Sequence, residues 1–94
     1  MEARFYLDPE TNQPHIFRHG VTQAEAEQVL RGPGEDVPTS NKARMKIGRT
    51  SAGRYLRVIY VPDENPNSVF VVTAYELRGK ARNAHRRRQR RRHR

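Results

Sequence analysis

The sequence predicts an α+β fold of two layers: N-terminal helices on one face of an antiparallel sheet of three to four strands, followed by a basic C-terminal helical segment. Three observations point there. Residues 14–32 read as a helix–glycine–helix corner. Three segments rich in β-branched and aromatic residues follow residue 43. Residues 78–94 hold ten Lys/Arg and no acid. Helices placed before a run of strands imply segregated layers, because each element must bury one apolar face against another.

The elements follow in order. Arg4-Phe5-Tyr6-Leu7 reads as a short first strand ended by Asp8-Pro9. Pro14 suits the first position of a short helix over His15–His19, which Gly20 stops. Thr22 with Glu25 three residues on makes a capping box, predicting a second helix to about Arg31, with Gly32-Pro33 beyond. Residues 33–43 read as a loop with a poor edge strand near Val37. Arg44–Arg49 alternates Met45 and Ile47 with Arg44 and Lys46, the period of a half-buried strand. Thr50–Gly53 reads as a hairpin turn, and Tyr55–Val61 and Val69–Leu77 as central strands. The expected core is Phe17, Val29, Leu30, Ile47, Leu56, Val58, Phe70 and Val72.

Length and charge narrow the functional classes. A chain of 94 residues makes one small domain, here residues 1–78, with residues 79–94 as an arginine-rich C-terminal extension. The absence of cysteine excludes disulfides and thiolate chemistry. With no apolar run of membrane length and no signal-like N-terminus, the expected location is the cytoplasm. Residues 1–77 carry nine Lys/Arg and ten Asp/Glu, so nearly all of the formal charge of +9 belongs to the end segment. Burying unpaired guanidinium groups is costly, so that segment must stay solvated or meet a polyanion. Arginine dominates it, and a planar guanidinium donates two parallel hydrogen bonds to phosphate. The expected partner is nucleic acid, RNA in preference to DNA, rather than a membrane. Only Ala81 and Ala84 are apolar after Gly79, which predicts a frayed helix that orders on binding.

Several short motifs stand in a telling order. His19-Gly20-Val21 precedes a helix carrying Glu25 and Glu27. Ile47-Gly48-Arg49-Thr50 precedes Gly53-Arg54-Tyr55-Leu56, and Val71-Val72-Thr73-Ala74-Tyr75 precedes the basic segment. Together these resemble the BrnT family of small toxins, whose fold is similar to that of RelE-type ribonucleases. The resemblance implies the toxin component of a type II toxin–antitoxin system, cleaving RNA without a metal and silenced by a cognate antitoxin protein. One motif departs from the family pattern. Where those toxins carry Ser-Ala-Arg near the end of the last strand, this chain has Thr73-Ala74-Tyr75.

Metal-free RNA cleavage needs a base for the 2′-hydroxyl, an acid for the leaving oxygen and cations around the phosphate. Among His15, His19, Arg49, Arg57, Tyr60, Tyr75, Arg78, Lys80 and His85, the catalytic candidates are His19, Tyr75 and Arg57. The nucleic-acid-binding candidates are Arg49, Arg78, Lys80, Arg82, Arg86, Arg87, Arg88 and Arg90. His15 and His19 have the spacing of two zinc ligands on a helix, but the Glu of H-E-x-x-H is missing and no third ligand suggests itself. No cofactor is expected. Two other readings remain open: a non-catalytic RNA- or DNA-binding module on the same fold, and a polycation that docks an acidic protein.

Overall fold

The computed structural model describes residues 1–92. They form β1 (Glu2–Phe5), a 3-10 helix (His15–His19), α1 (Gln23–Arg31), β2 (Glu35–Pro38), β3 (Arg44–Arg49), β4 (Tyr55–Pro62), β5 (Ser68–Glu76) and α2 (Gly79–Arg92). His93 and Arg94, the end of the expected basic segment, lie outside the described residues.

The N-terminal corner forms as the residues dictate. Gly20 takes a left-handed φ of 68° and closes the 3-10 helix with its N–H on the carbonyls of Ile16 and Phe17. Thr22 accepts from the Glu25 N–H while Glu25 accepts from the Thr22 N–H, so the capping box is complete. At the other end of α1, Lys46 reaches across from β3 and donates from Nζ to the carbonyls of Leu30 and Gly32, at 3.3 and 2.7 Å. Arg54 then ties the corner to the sheet. Its Nη1 donates to Glu25 Oε2 at 2.7 Å and to the Gly20 carbonyl at 3.1 Å, and its Nη2 to Glu76 Oε1 at 3.2 Å.

The sheet has five strands in the order β1-β5-β4-β3-β2. It is mixed: β1 runs parallel to β5, with Glu2 opposite Ser68 and Phe5 opposite Val71, while every other pair is antiparallel. The expectation of three to four antiparallel strands is therefore corrected in number and in sense. The outer strands β1 and β2, each four residues long, stand close to the short first strand and the poor edge strand near Val37 expected above, β1 starting two residues earlier. The parallel sense of β1 had no local signal, because a partner far away in sequence leaves none.

Register assigns each residue to a face. On the first face Gly48, Lys46 and Arg44 of β3 stand opposite Leu56, Val58 and Tyr60 of β4. Val58 and Tyr60 in turn oppose Ala74 and Val71 of β5. The 3-10 helix and α1 pack here, and Ile16, Val21, Ala26, Val29, Leu56, Val58, Val71 and Ala74 form the centre of the core. On the second face Ile47, Arg57 and Tyr75 lie in one row.

Some core expectations change. Val29, Ile47, Leu56 and Val58 are buried, Leu30 is half-buried against the core, and Phe70 and Val72 are only half-buried. Because β5 is apolar on both faces, alternation could not tell which set points inward, and a register shift at Ile59/Tyr60 moves the pattern further. Phe17 is 44% exposed, since the 3-10 turn directs its neighbour Ile16 at the sheet. Lys46, expected on a solvated face, is buried as the cap of α1.

The largest correction is α2. It is folded and docked on the second face, which makes the architecture three-layered where it passes. His85 is 2% exposed, its ring edge-on to Tyr55 at 5.7 Å between centroids and its Nδ1 2.5 Å from Glu35 Oε1. Arg88 donates from Nε to the other oxygen of Glu35 at 2.7 Å. These bonds depress the Glu35 pKa, the Arg88 hydrogen bond most, against a smaller opposing effect of burial. Ile47 sits opposite Glu35 in the sheet and is 2% exposed, apart from the principal core cluster. Counting only alanines as apolar missed this docking: a histidine and a distant glutamate supply it.

Candidate functional site

Three elements converge beside α2 on the second face. Arg57 and Tyr75 are cross-strand partners on β4 and β5, and Arg57 Nη1 donates to the Tyr75 hydroxyl at 3.1 Å. The same guanidinium carbon lies 5.7 Å from the Tyr75 ring centroid. Arg57 Nε is buried and has no hydrogen-bond partner among the described residues. The 3-10 helix flanks β5 and brings His19 to the same place, its ring 6.1 Å from that of Tyr75. Thus the three catalytic candidates, far apart in the sequence, form one cluster.

The cluster extends to His15, weighed above but not among the three catalytic candidates, and to Tyr6 and Asp8, which the sequence reading left out. His15 stacks edge-on against His19 at 5.4 Å, and Tyr6 lies 6.0 Å from His15. Asp8 accepts from the Glu10 backbone N–H at 2.9 Å, bonds the Arg18 side chain, and stands 3.4 Å from His15 Nδ1. The Glu10 N–H, more than the Arg18 and His15 contacts, holds the Asp8 carboxyl below its usual range despite burial. An anion beside His15 fixes that ring's orientation, and His15 in turn buttresses His19. The row therefore runs Asp8, His15, His19, Tyr75, Arg57. Asp8-Pro9 read as a strand end, so nothing local marked Asp8 as a partner of histidine. No group of three or more His, Cys, Asp or Glu side chains is arranged for a metal among the described residues.

The cationic candidates divide by environment. Arg78 is 82% exposed at the side chain, 3.5 Å from Glu76, and Lys80 and Arg82 are exposed on the first turns of α2. Arg49 is exposed, with its guanidinium 5.8 Å over the Tyr55 ring. Arg86, Arg87 and Arg90 are exposed and line two grooves along α2, of about 370 and 230 Å³. Arg88 stands apart because Glu35 already engages it. His85, considered for chemistry, is instead buried as a packing residue.

A five-stranded mixed sheet with an N-terminal helical corner on one face and a basic C-terminal helix on the other is an α+β fold. Among solved structures, the chain is similar to the ribonuclease toxin BrnT of Brucella abortus, known at 1.1 Å resolution. The TM-score is 0.60 at 21% identity, over 84% of this chain and 100% of that one. No protein-family model and no curated protein matches the sequence. At this identity the likeness establishes the fold, and fold alone does not carry an activity.

Proposed function

We propose that this protein is the toxin of a toxin–antitoxin pair, cleaving RNA without a metal ion and held inactive by a cognate antitoxin in the cytoplasm. The observation that carries the reading is the meeting of His19, Tyr75 and Arg57 in a fold similar to that of a ribonuclease toxin.

The chemistry follows from the side chains. The His19 imidazole takes the proton of a 2′-hydroxyl, whose oxygen attacks the adjacent phosphorus. Arg57 donates to the non-bridging oxygens as charge builds on them. The Tyr75 oxygen already accepts from Arg57, which leaves its own hydrogen free for the departing 5′-oxygen. The P–O5′ bond breaks, giving a 2′,3′-cyclic phosphate and a 5′-hydroxyl. The exposed arginines of α2 hold the flanking phosphates. No helix of the described residues is long and apolar enough to cross a membrane.

The experiment is inducible expression in bacteria of the wild type and of a His19→Ala/Tyr75→Phe double variant at equal abundance. Growth arrest with messenger RNA cleavage, both lost in the variant, is the expected result. Cleavage by the purified protein should persist with excess EDTA. A second reading rests on the cation density of α2: a non-catalytic RNA- or DNA-binding module. Intact RNA and unimpaired growth in the presence of soluble wild-type protein would favour it.

A further inference from the structure

The larger groove beside α2 has a composition that phosphate binding alone does not require. It is lined by Tyr55, Arg86, Gln89 and Arg90. A second groove, lined by Asn83, Arg86, Arg87 and Arg90, shares two of these arginines with it. A cationic surface meant only for a polyanion would be bare arginine. Here an aromatic ring and a neutral amide stand within it, and among the described residues no carboxylate lines it.

Gln89 sharpens the point. Its Nε2 is buried, with no hydrogen-bond partner among the described residues, while every other position from Arg86 to Arg92 is arginine. An unmade hydrogen bond in a buried place is costly, and a ligand that accepts from it recovers that cost. The volume of about 370 Å³ lies within the range of small-ligand sites. Tyr55 is on the same strand face as Arg57 and two residues away, which is about 7 Å.

We propose that this groove is a subsite for one unpaired nucleobase, next to the scissile position. The base lies against Tyr55 and accepts from Gln89 Nε2 at its polar edge, while Arg86 and Arg90 hold its phosphates. The proposal deepens the RNA reading above and rests on it. It makes the C-terminal helix a reader of the strand as well as an electrostatic anchor.

The test uses the full chain and fluorescent single-stranded hexanucleotides of uridine, cytidine or adenosine, with an abasic hexamer of equal charge as the control. All carry 2′-O-methyl groups, so binding is measured without cleavage. Affinity is followed by anisotropy over a range of salt. At least one base-bearing hexamer should bind roughly tenfold more tightly than the abasic one, within the five- to hundredfold typical of one stacked base. Gln89→Leu should lose most of that preference with its salt slope unchanged, because no charge is removed. Tyr55→Leu should do the same where thermal melting shows it folded. Equal wild-type affinity for base-bearing and abasic hexamers overturns the subsite but leaves phosphate binding and cleavage standing. Full preference retained by Gln89→Leu also overturns it. Failure of the wild type to bind any hexamer removes both the subsite and the RNA reading.

Discussion

The two faces of the sheet are built on opposite principles. The first is closed: aliphatic side chains from the 3-10 helix, α1, β4 and β5 interlock, and the charged residues admitted there, Lys46 and Arg54, are spent on backbone carbonyls and carboxylates. The second is half-closed. Where α2 passes, His85, Glu35 and Tyr55 make a polar–aromatic seam. Beyond it, Tyr75 and Arg57 stand with His19 beside them, and the buried Arg57 Nε has no hydrogen-bond partner among the described residues. One face spends its polar groups on structure and the other holds them ready, so a substitution should reveal its face by what it damages.

The largest effect belongs to the closed face. Leu56→Ala should lower unfolding free energy by about 3 kcal/mol, the usual size of such a cavity. A urea titration checks this, and any loss of activity should follow the fraction unfolded. Arg57→Met, on the open face, should cut RNA cleavage about a hundredfold, the scale of one lost transition-state donor. Its melting temperature should stay near that of the wild type, since the thioether chain keeps the packing and removes an unpartnered nitrogen. A melting loss matching the activity loss would erase the contrast between the faces. Arg54→Ala should cost about 2 kcal/mol, because it strips charged hydrogen bonds from Glu25 and Glu76.

The seam gives a smaller, pH-dependent effect. The folded-state pKa of Glu35 is depressed, so its contribution is complete above the unfolded carboxylate value of about 4.3 and is lost as pH falls through the lower folded value. Between pH 7 and pH 3, Glu35→Gln should therefore lose less stability than the wild type, by about 1 kcal/mol in urea midpoint analysis. An equal loss would mean that the seam does not hold α2. Smallest of all, Phe17→Ser should change stability by no more than about 0.5 kcal/mol, because the ring is 44% exposed.

What could be read from the sequence was what depends on near neighbours. The Thr22–Glu25 box, the Gly20 stop and the three long strands each announce themselves within a few residues, and the structure contains all of them. What escaped needs distant partners. The pairing of β1 with β5 and the grip of Glu35 on His85 join segments that share no pattern. His19, Tyr75 and Arg57 could be named from the acid, base and cation that metal-free RNA cleavage needs, and the sheet register then explains why Arg57 and Tyr75 meet. Asp8, Tyr55 and Gln89 were passed over for different reasons: one looked like a strand end, one like the ordinary start of a central strand, and one was lost among arginines. Domain limits drawn at residue 78 followed the change in charge. The bonds of His85 and Arg88 to Glu35 cross that limit, so removing α2 would leave Glu35 without these hydrogen-bond partners.

The parallel pair of β1 and β5 carries a consequence for biosynthesis. In the sheet β1 has a single neighbouring strand, Ser68–Val71 of β5, so on the ribosome it waits unpaired until that segment has been made. The 3-10 helix packs on β5 too, which keeps His19 away from Tyr75 over the same interval. A nascent chain thus holds the pieces of the cluster without the cluster. The RNA cleavage proposed for this surface therefore cannot begin on the ribosome's own message until translation of the sheet is essentially complete.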